Sequence, residues 1–163
     1  MYNISLNLSY KNVLFIGGGK VAERKIKSII DENCKITVIA PQTNDYISNL
    51  VEKSRVTVIK REFEPNDVSK KYFMVFAATD DVELNRLIYE KFNDINVLCN
   101  NVSDGEYTNF ISSATAKFKN IVISINTVNK DPLLSKEIKN MLISDIENNT
   151  HNFENRIKCL YYK

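Results

Sequence analysis

The strongest constraint in this sequence is a run of three glycines, Gly17 to Gly19, between an apolar segment and a helix-compatible one. Residues 12–16 read NVLFI and have the composition that favours a β-strand. Within residues 21–30, apolar side chains recur at helical spacing, at positions 22, 26, 29 and 30. A strand, a tight turn and a helix in this order predict the first part of a βαβ unit.

The glycines also fit a binding motif. Gly17, Gly19 and Ala22 occupy the positions of the G-x-G-x-x-G/A fingerprint of dinucleotide-binding proteins. In that motif the first glycine permits the turn, the second lets a pyrophosphate approach the backbone, and the third small residue brings helix and strand close together. The alternative is a plain glycine turn. A second strand at residues 35–40 follows at the separation of a βαβ crossover, so we predict a bound dinucleotide.

Later segments continue the alternation of strand and helix. Apolar or alternating runs predict further strands at residues 55–60, 72–78 and 96–100. Amphipathic patterns predict helices at residues 45–53 and 82–92. The predicted inner face of the second of these helices consists of Leu84, Leu87, Ile88 and Phe92. Strict alternation predicts an α/β fold, a Rossmann-type doubly wound parallel sheet.

The pattern changes after residue 110. Residues 110–118 and 120–127 resemble two strands of a hairpin, and residues 132–146 form an amphipathic pattern. We predict two domains, a dinucleotide-binding domain at 1–112 and a dimerisation and C-terminal helical region at 113–163. The alternative is that the hairpin extends the edge of the main sheet.

Charge and cysteine content exclude several classes of function. The net charge of +2 over 163 residues is too small to indicate nucleic-acid binding. No apolar run is long enough to cross a bilayer, and the N-terminus does not resemble an export signal, so we expect a cytoplasmic protein. Cys34, Cys99, Cys159 and the single His151 show no metal-ligand spacing, and no metal site is predicted.

Three motifs together resemble one enzyme family. They are GGGKVAERK at residues 17–25, FAATDD at 76–81 with Asn85, and NVSD at 101–104. As a set they resemble precorrin-2 dehydrogenase, which also forms the N-terminal part of siroheme synthase. The resemblance covers residues 6–142. It implies NAD-dependent oxidation of precorrin-2 to sirohydrochlorin in siroheme biosynthesis, with iron insertion in some members, by a homodimer.

The resemblance also implies site residues. The catalytic aspartate of the family corresponds to Asp104, which follows a predicted strand where open α/β sheets place their ligands. A carboxylate there could act as a base or orient the substrate, although an aspartate before Gly105 is also typical of a turn. Besides Gly17 and Gly19, the implied cofactor-binding residues are Lys20, Val21, Pro41, Gln42, Thr79 and Asp80. The implied substrate-binding residues are Asn101 and Thr127.

Two departures leave alternatives open. The acidic residue that usually follows the second strand and binds the ribose is absent, and Ala40, Pro41 and Gln42 stand in its place. No lysine or arginine is present there to bind a 2′-phosphate, so NAD is favoured over NADP. In the second part, Ser113 and Asn126 differ from the family pattern. The alternative functions are therefore a dinucleotide-sensing module and a non-catalytic tetrapyrrole carrier.

Overall fold

The chain folds into two compact units, residues 1–111 and 112–163, in a computed structural model that describes residues 2–118, 121–127 and 132–148. The first unit contains a five-stranded parallel sheet with the strand order β3-β2-β1-β4-β5. Its elements are β1 (Asn12–Ile16), α1 (Lys20–Ile29), β2 (Lys35–Ile39), α2 (Asp45–Glu52), β3 (Val56–Ile59), β4 (Met74–Ala77), α3 (Val82–Asp94) and β5 (Leu98–Asn101). The predicted doubly wound parallel sheet is confirmed.

The two central strands explain why this sheet forms. All four residues of β4 are buried, as are the last four of β1, because helices cover both faces of the sheet. On one face, Phe15 of β1 stacks on Phe76 of β4 with ring centroids 4.6 Å apart, beside the buried residues of α1 and α2. On the other face, Ile88 and Phe92 of α3 pack against the sheet.

The strand order places the functional edge. From β1 the chain proceeds to β2 and β3 on one side, and then crosses to β4 and β5 on the other side. The carboxyl ends of β1 and β4 therefore flank the point where the direction of winding reverses. Ligands of open α/β sheets bind at such a point.

One predicted helix face is wrong in part. Leu87 is exposed, whereas Asn85 is completely buried in α3. The buried positions of α3 are Asn85, Ile88 and Phe92, a narrow stripe at helical spacing that leaves Leu87 on the solvent side. The predicted face thus included an exposed apolar residue, Leu87, and left out a buried polar one, Asn85, which the sequence analysis named only as part of a motif.

The second unit has a sheet of its own. Strands β6 (Ala114–Phe118) and β7 (Ile121–Ile125) pair in antiparallel fashion, and α4 (Pro132–Glu147) follows them. The two strands form a separate sheet, so the alternative of an edge extension is wrong. Strand β6 begins later than the predicted residue 110. Residues 119 and 120, between the two strands, lie outside the described residues.

No helix among the described residues has both the length and the apolar character needed to cross a membrane.

Candidate functional site

The turn after β1 requires glycine at its first position. Gly17 has φ +110°, a conformation that side chains disfavour, and its N–H donates to the carbonyl oxygen of Ile39 at 2.9 Å. A Cβ at this position would lie 2.1 Å from the carbonyl oxygen of Ala78, just after β4. Gly17 therefore allows the first turn to pack directly on the backbone that leads to Thr79.

Gly18 is a second position of the turn that requires glycine, and the sequence interpretation missed it. A Cβ on Gly18 would lie 2.3 Å from the carbonyl oxygen of Gln42, and the carbonyl of Gly18 accepts a hydrogen bond from Asn44 N at 3.1 Å. The fingerprint treats this position as variable. Here glycine is needed because the loop after β2, with Pro41 and Gln42, packs closely against the turn. Both of these side chains are exposed.

Gly19 and the start of α1 border an open space. Gly19 is the N-cap of α1, no side chain caps the helix, and a Cβ on Gly19 would meet no atom within 4 Å. The first N–H groups of a helix have no acceptor within the helix, and they favour anions. Lys20 is exposed and Val21 half-buried at this end, while Ala22 is buried against the sheet. The space and the donors fit a pyrophosphate group.

Asn85 connects the loops that follow β4 and β5. Its Oδ1 accepts hydrogen bonds from the N–H of Thr79 at 3.0 Å and from the hydroxyl of Thr79 at 2.8 Å. Its Nδ2 donates to the carbonyl oxygen of Thr79 at 2.9 Å and to Ser103 Oγ at 2.7 Å. The side chain is fully buried and every donor and acceptor is used. Asp80 next to Thr79 is exposed, and the side chain of Asp81 caps α3.

The segment after β5 holds the predicted catalytic residue. Asn101 Oδ1 accepts hydrogen bonds from the main-chain N–H of Ser103 at 2.9 Å and of Asp104 at 3.3 Å. Asp104 is half-buried, and its Oδ1 accepts from Glu106 N at 2.8 Å. The side chain of Asp104 therefore stabilises a local turn, as the alternative interpretation proposed. This contact uses one carboxylate oxygen.

Aromatic contacts anchor the same segment to α3. The guanidinium of Arg86 lies 4.0 Å from the ring centroid of Tyr107, and the ring of Tyr89 meets that ring edge-on at 6.1 Å. Cation–π and edge-on ring contacts of this kind contribute on the order of 1 kcal/mol each. Two contacts thus hold the loop that carries Asp104 on α3. They are the hydrogen bond from Asn85 to Ser103 and the packing of Tyr107 against Arg86 and Tyr89.

The first unit therefore brings its predicted residues together at one edge of the sheet. Gly17 contacts the Thr79 backbone, Gly18 contacts Gln42, and Asn85 links Thr79 to the Asp104 loop. Thr127 belongs to the second unit, where its hydroxyl is 3.3 Å from Ser135 Oγ. Within the described ranges there is no group of three or more His, Cys, Asp or Glu side chains that could hold a metal ion.

Comparison with known proteins agrees with this geometry. A family model with the description "Putative NAD(P)-binding" matches residues 4–114. The chain belongs to this NAD(P)-binding family. The match confirms the class of cofactor that the glycine turn predicts.

Curated relatives and a solved structure are similar over most of the chain. "Siroheme synthase 2" of Yersinia enterocolitica is 33% identical over 141 residues, 86% of this chain and 30% of that protein. "Siroheme synthase 3" of Aeromonas hydrophila is 31% identical over 139 residues, 85% of this chain and 30% of that protein. The solved structure "SirC, precorrin-2 dehydrogenase" has a TM-score of 0.79 and 30% identity, and the match covers 89% of this chain and 71% of that one. The chain thus spans 30% of the length of these curated relatives.

Replacing Asn85 with alanine tests the link between the loops. The substitution removes the partners of the N–H and the carbonyl oxygen of half-buried Thr79, and we expect it to lower the free energy of unfolding by about 3 kcal/mol. NAD affinity should fall as well, because the Thr79 loop loses its support. Urea denaturation and a NAD titration measure the two effects. Asn93→Ala, an exposed substitution in the same helix, is the control. Equal stability of the two variants would contradict the role of Asn85.

Proposed function

We propose that this protein is an NAD-dependent precorrin-2 dehydrogenase, which oxidises precorrin-2 to sirohydrochlorin in siroheme biosynthesis in the cytoplasm. The similarity to SirC over 89% of the chain is the observation that carries this proposal. The free thiols of Cys34 and Cys99 agree with a reducing compartment. We also propose the division of roles between a dinucleotide-binding domain at 1–112 and a dimerisation region at 113–163.

The cofactor would bind across the carboxyl ends of β1 and β4. The open space at Gly19 and the uncapped N-terminus of α1 support the placement of the pyrophosphate there, next to Lys20 and Val21. Pro41 and Gln42 would face the adenosine half. On the other side of the switch point, Thr79 and Asp80 would face the nicotinamide half. Bound NAD supplies the acceptor for a hydride.

NAD is favoured over NADP by the loop after β2. No basic side chain is present among Ala40, Pro41 and Gln42 to pair with a 2′-phosphate. A carboxylate for the ribose hydroxyls is also absent from these positions, and the amide of Gln42 could form that hydrogen bond instead. We therefore expect NAD to bind more tightly than NADP.

Asp104 would act on the substrate. Loss of a hydride from the tetrapyrrole is accompanied by loss of a proton, and a carboxylate beside the reacting carbon can accept that proton or orient the ring. The hydrogen bond from Glu106 N engages Oδ1 of Asp104 and fixes the side chain. The second oxygen, Oδ2, accepts no hydrogen bond from the described residues and is available for the substrate.

Asn101 and Thr127 are the proposed substrate-binding residues. The Oδ1 of Asn101 holds the Asp104 loop, while its buried Nδ2 has no hydrogen-bond partner among the described residues. An unpaired buried donor is costly, and a ligand acceptor would remove that cost. Thr127, in the second unit, is proposed from the family resemblance.

The decisive experiment is anaerobic incubation of the protein with precorrin-2 and NAD. Formation of NADH, followed at 340 nm, together with the absorption spectrum of sirohydrochlorin is the expected result. A parallel reaction with NADP tests the cofactor preference. If the protein binds NAD and yields neither product, the dehydrogenase proposal is wrong and a carrier or sensing module takes its place.

We also propose a homodimer that forms through the second unit. This unit exposes large apolar side chains, among them Val122 and Met141, at 61% and 66% of their accessible area. Exposed apolar residues in a small unit favour association with a second copy. We expect light scattering to give the mass of a dimer and Val122→Lys with Met141→Lys to give that of a monomer. A monomeric wild-type protein would contradict the proposal.

A further inference from the structure

Lys25 is a partly buried cation without an anionic partner in the described part of the chain. It lies on α1, and its Nζ is 5.9 Å from the ring centroid of Phe76 in β4. The other lysines of α1 differ from it: Lys27 pairs with Glu23, and Lys20 is exposed. Lysine side chains rarely enter an apolar interior unless they are paired.

The surroundings of Lys25 are aromatic. Phe76 is almost completely buried, stacks on Phe15, and is met edge-on by Phe110 at 5.4 Å. Asn100 is next to Phe76 in the sheet register, and its buried Oδ1 has no hydrogen-bond partner among the described residues. The ammonium group of Lys25 therefore lies near an aromatic ring. No carboxylate of the described residues is paired with it.

Burial disfavours the charge of this lysine. Loss of hydration, with a smaller contribution from neighbouring Arg24, lowers the pKa of the Lys25 amine to about 8. At neutral pH the amine is still protonated. The ammonium group of Lys25 is thus a poorly hydrated cation, and binding of an anion would stabilise its charge.

We propose that Lys25 is a binding site for a carboxylate group of the tetrapyrrole substrate, on the α1 side of β4. This inference rests on the proposed function, because the tetrapyrrole substrate of a precorrin-2 dehydrogenase carries several carboxylates. A partly desolvated ammonium binds a carboxylate more strongly than an exposed one does, because the interaction is less screened. Lys25 belongs to the same unit as Asp104, so one unit would supply both the reacting carboxylate and a charge that holds the ring.

A titration with sirohydrochlorin, without NAD and without turnover, tests this site. We expect Lys25→Met to weaken binding of sirohydrochlorin about tenfold, the loss typical of one charge-assisted contact. Binding of the esterified macrocycle, which has no carboxylates, should be equal in Lys25→Met and in the wild type. NAD affinity should not change. Lys70→Met removes an exposed lysine and is the matched control.

The thermal midpoint separates a binding role from a structural one. Methionine is about as long as lysine and avoids the buried charge, so we expect Lys25→Met to unfold at a higher temperature than the wild type while it binds the ligand less tightly. A structural lysine would give a lower midpoint. Unchanged affinity of Lys25→Met for sirohydrochlorin, or no binding by the wild type, would overturn the site.

The same titration distinguishes this inference from the proposed function. If the wild type produces NADH from precorrin-2 but Lys25→Met binds sirohydrochlorin normally, the dehydrogenase proposal stands and the carboxylate site is wrong. If the wild type binds sirohydrochlorin through Lys25 but produces no NADH, the site stands and the dehydrogenase proposal is wrong.

Discussion

Gly17→Ala is expected to destabilise the protein by about 4 kcal/mol, a large part of the stability of an ordinary domain. Two effects contribute to this loss. The backbone at φ +110° is strained for alanine, and the added Cβ would lie 2.1 Å from the carbonyl oxygen of Ala78, which is backbone and cannot rotate away. Because the turn must move from the end of β4, NAD binding should be lost. Urea denaturation and a NAD titration are the measurements.

Gly19→Ala is the matched comparison, because the same methyl group is added two residues later. A Cβ at Gly19 meets no protein atom within 4 Å and the backbone has φ −88°, so the fold should lose at most about 1 kcal/mol. The methyl group would project into the space proposed for the pyrophosphate, and NAD affinity should fall at least about tenfold. If Gly19→Ala binds NAD as the wild type does, the pyrophosphate lies elsewhere. If Gly17→Ala is as stable as Gly19→Ala, the described turn is wrong.

Asp104→Asn is expected to lower kcat for precorrin-2 oxidation between about 10²-fold and 10⁴-fold, the range typical of loss of a general base. Asparagine has the same shape, and its Oδ1 can still accept the hydrogen bond from Glu106 N that Asp104 accepts at 2.8 Å. The turn should therefore persist, and the thermal midpoint and the NAD affinity should remain close to those of the wild type. Steady-state rates with NAD and precorrin-2 give the decisive values.

Asp94→Asn serves as the control for Asp104→Asn. Asp94 is exposed at the end of α3, so the control makes the same change of charge outside the candidate site. Its kcat should equal that of the wild type. A turnover number for Asp104→Asn within a few-fold of the control value would remove Asp104 from the mechanism and leave it as a turn residue.

Local patterns predicted the parts of the fold that depend on neighbours in sequence. The apolar β1 segment, the glycine turn and the α1 pattern follow one another, so each could be identified from a short window of sequence. The completely apolar β4 segment likewise indicated a central parallel strand. The family match over residues 4–114 agrees with the dinucleotide class that these windows predicted.

Requirements that depend on distant residues were not visible in sequence. Gly18 must be glycine because of the Gln42 backbone, and Asn85 is buried because Thr79 and Ser103 use its amide. Asn85 belongs to the FAATDD motif that carries the resemblance, and this was the signal in the sequence that could have identified it. Leu87 was assigned to the core because it is apolar and has a compatible spacing. However, α3 has more apolar residues than its narrow buried stripe can accommodate, and Leu87 is exposed.

The position of β1 at the centre of the sheet has a consequence for how the first unit folds. Strand β1 pairs with β2, its neighbour in the chain, and also with β4, which is synthesised much later. Pairing with β4 closes a long loop, and closures of this kind slow folding. Until β4 is synthesised, one edge of β1 has no partner strand, and the ring of Phe15 lacks the Phe76 ring that stacks on it. The interval between synthesis of β1 and of β4 is thus the period in which this protein is most exposed to aggregation.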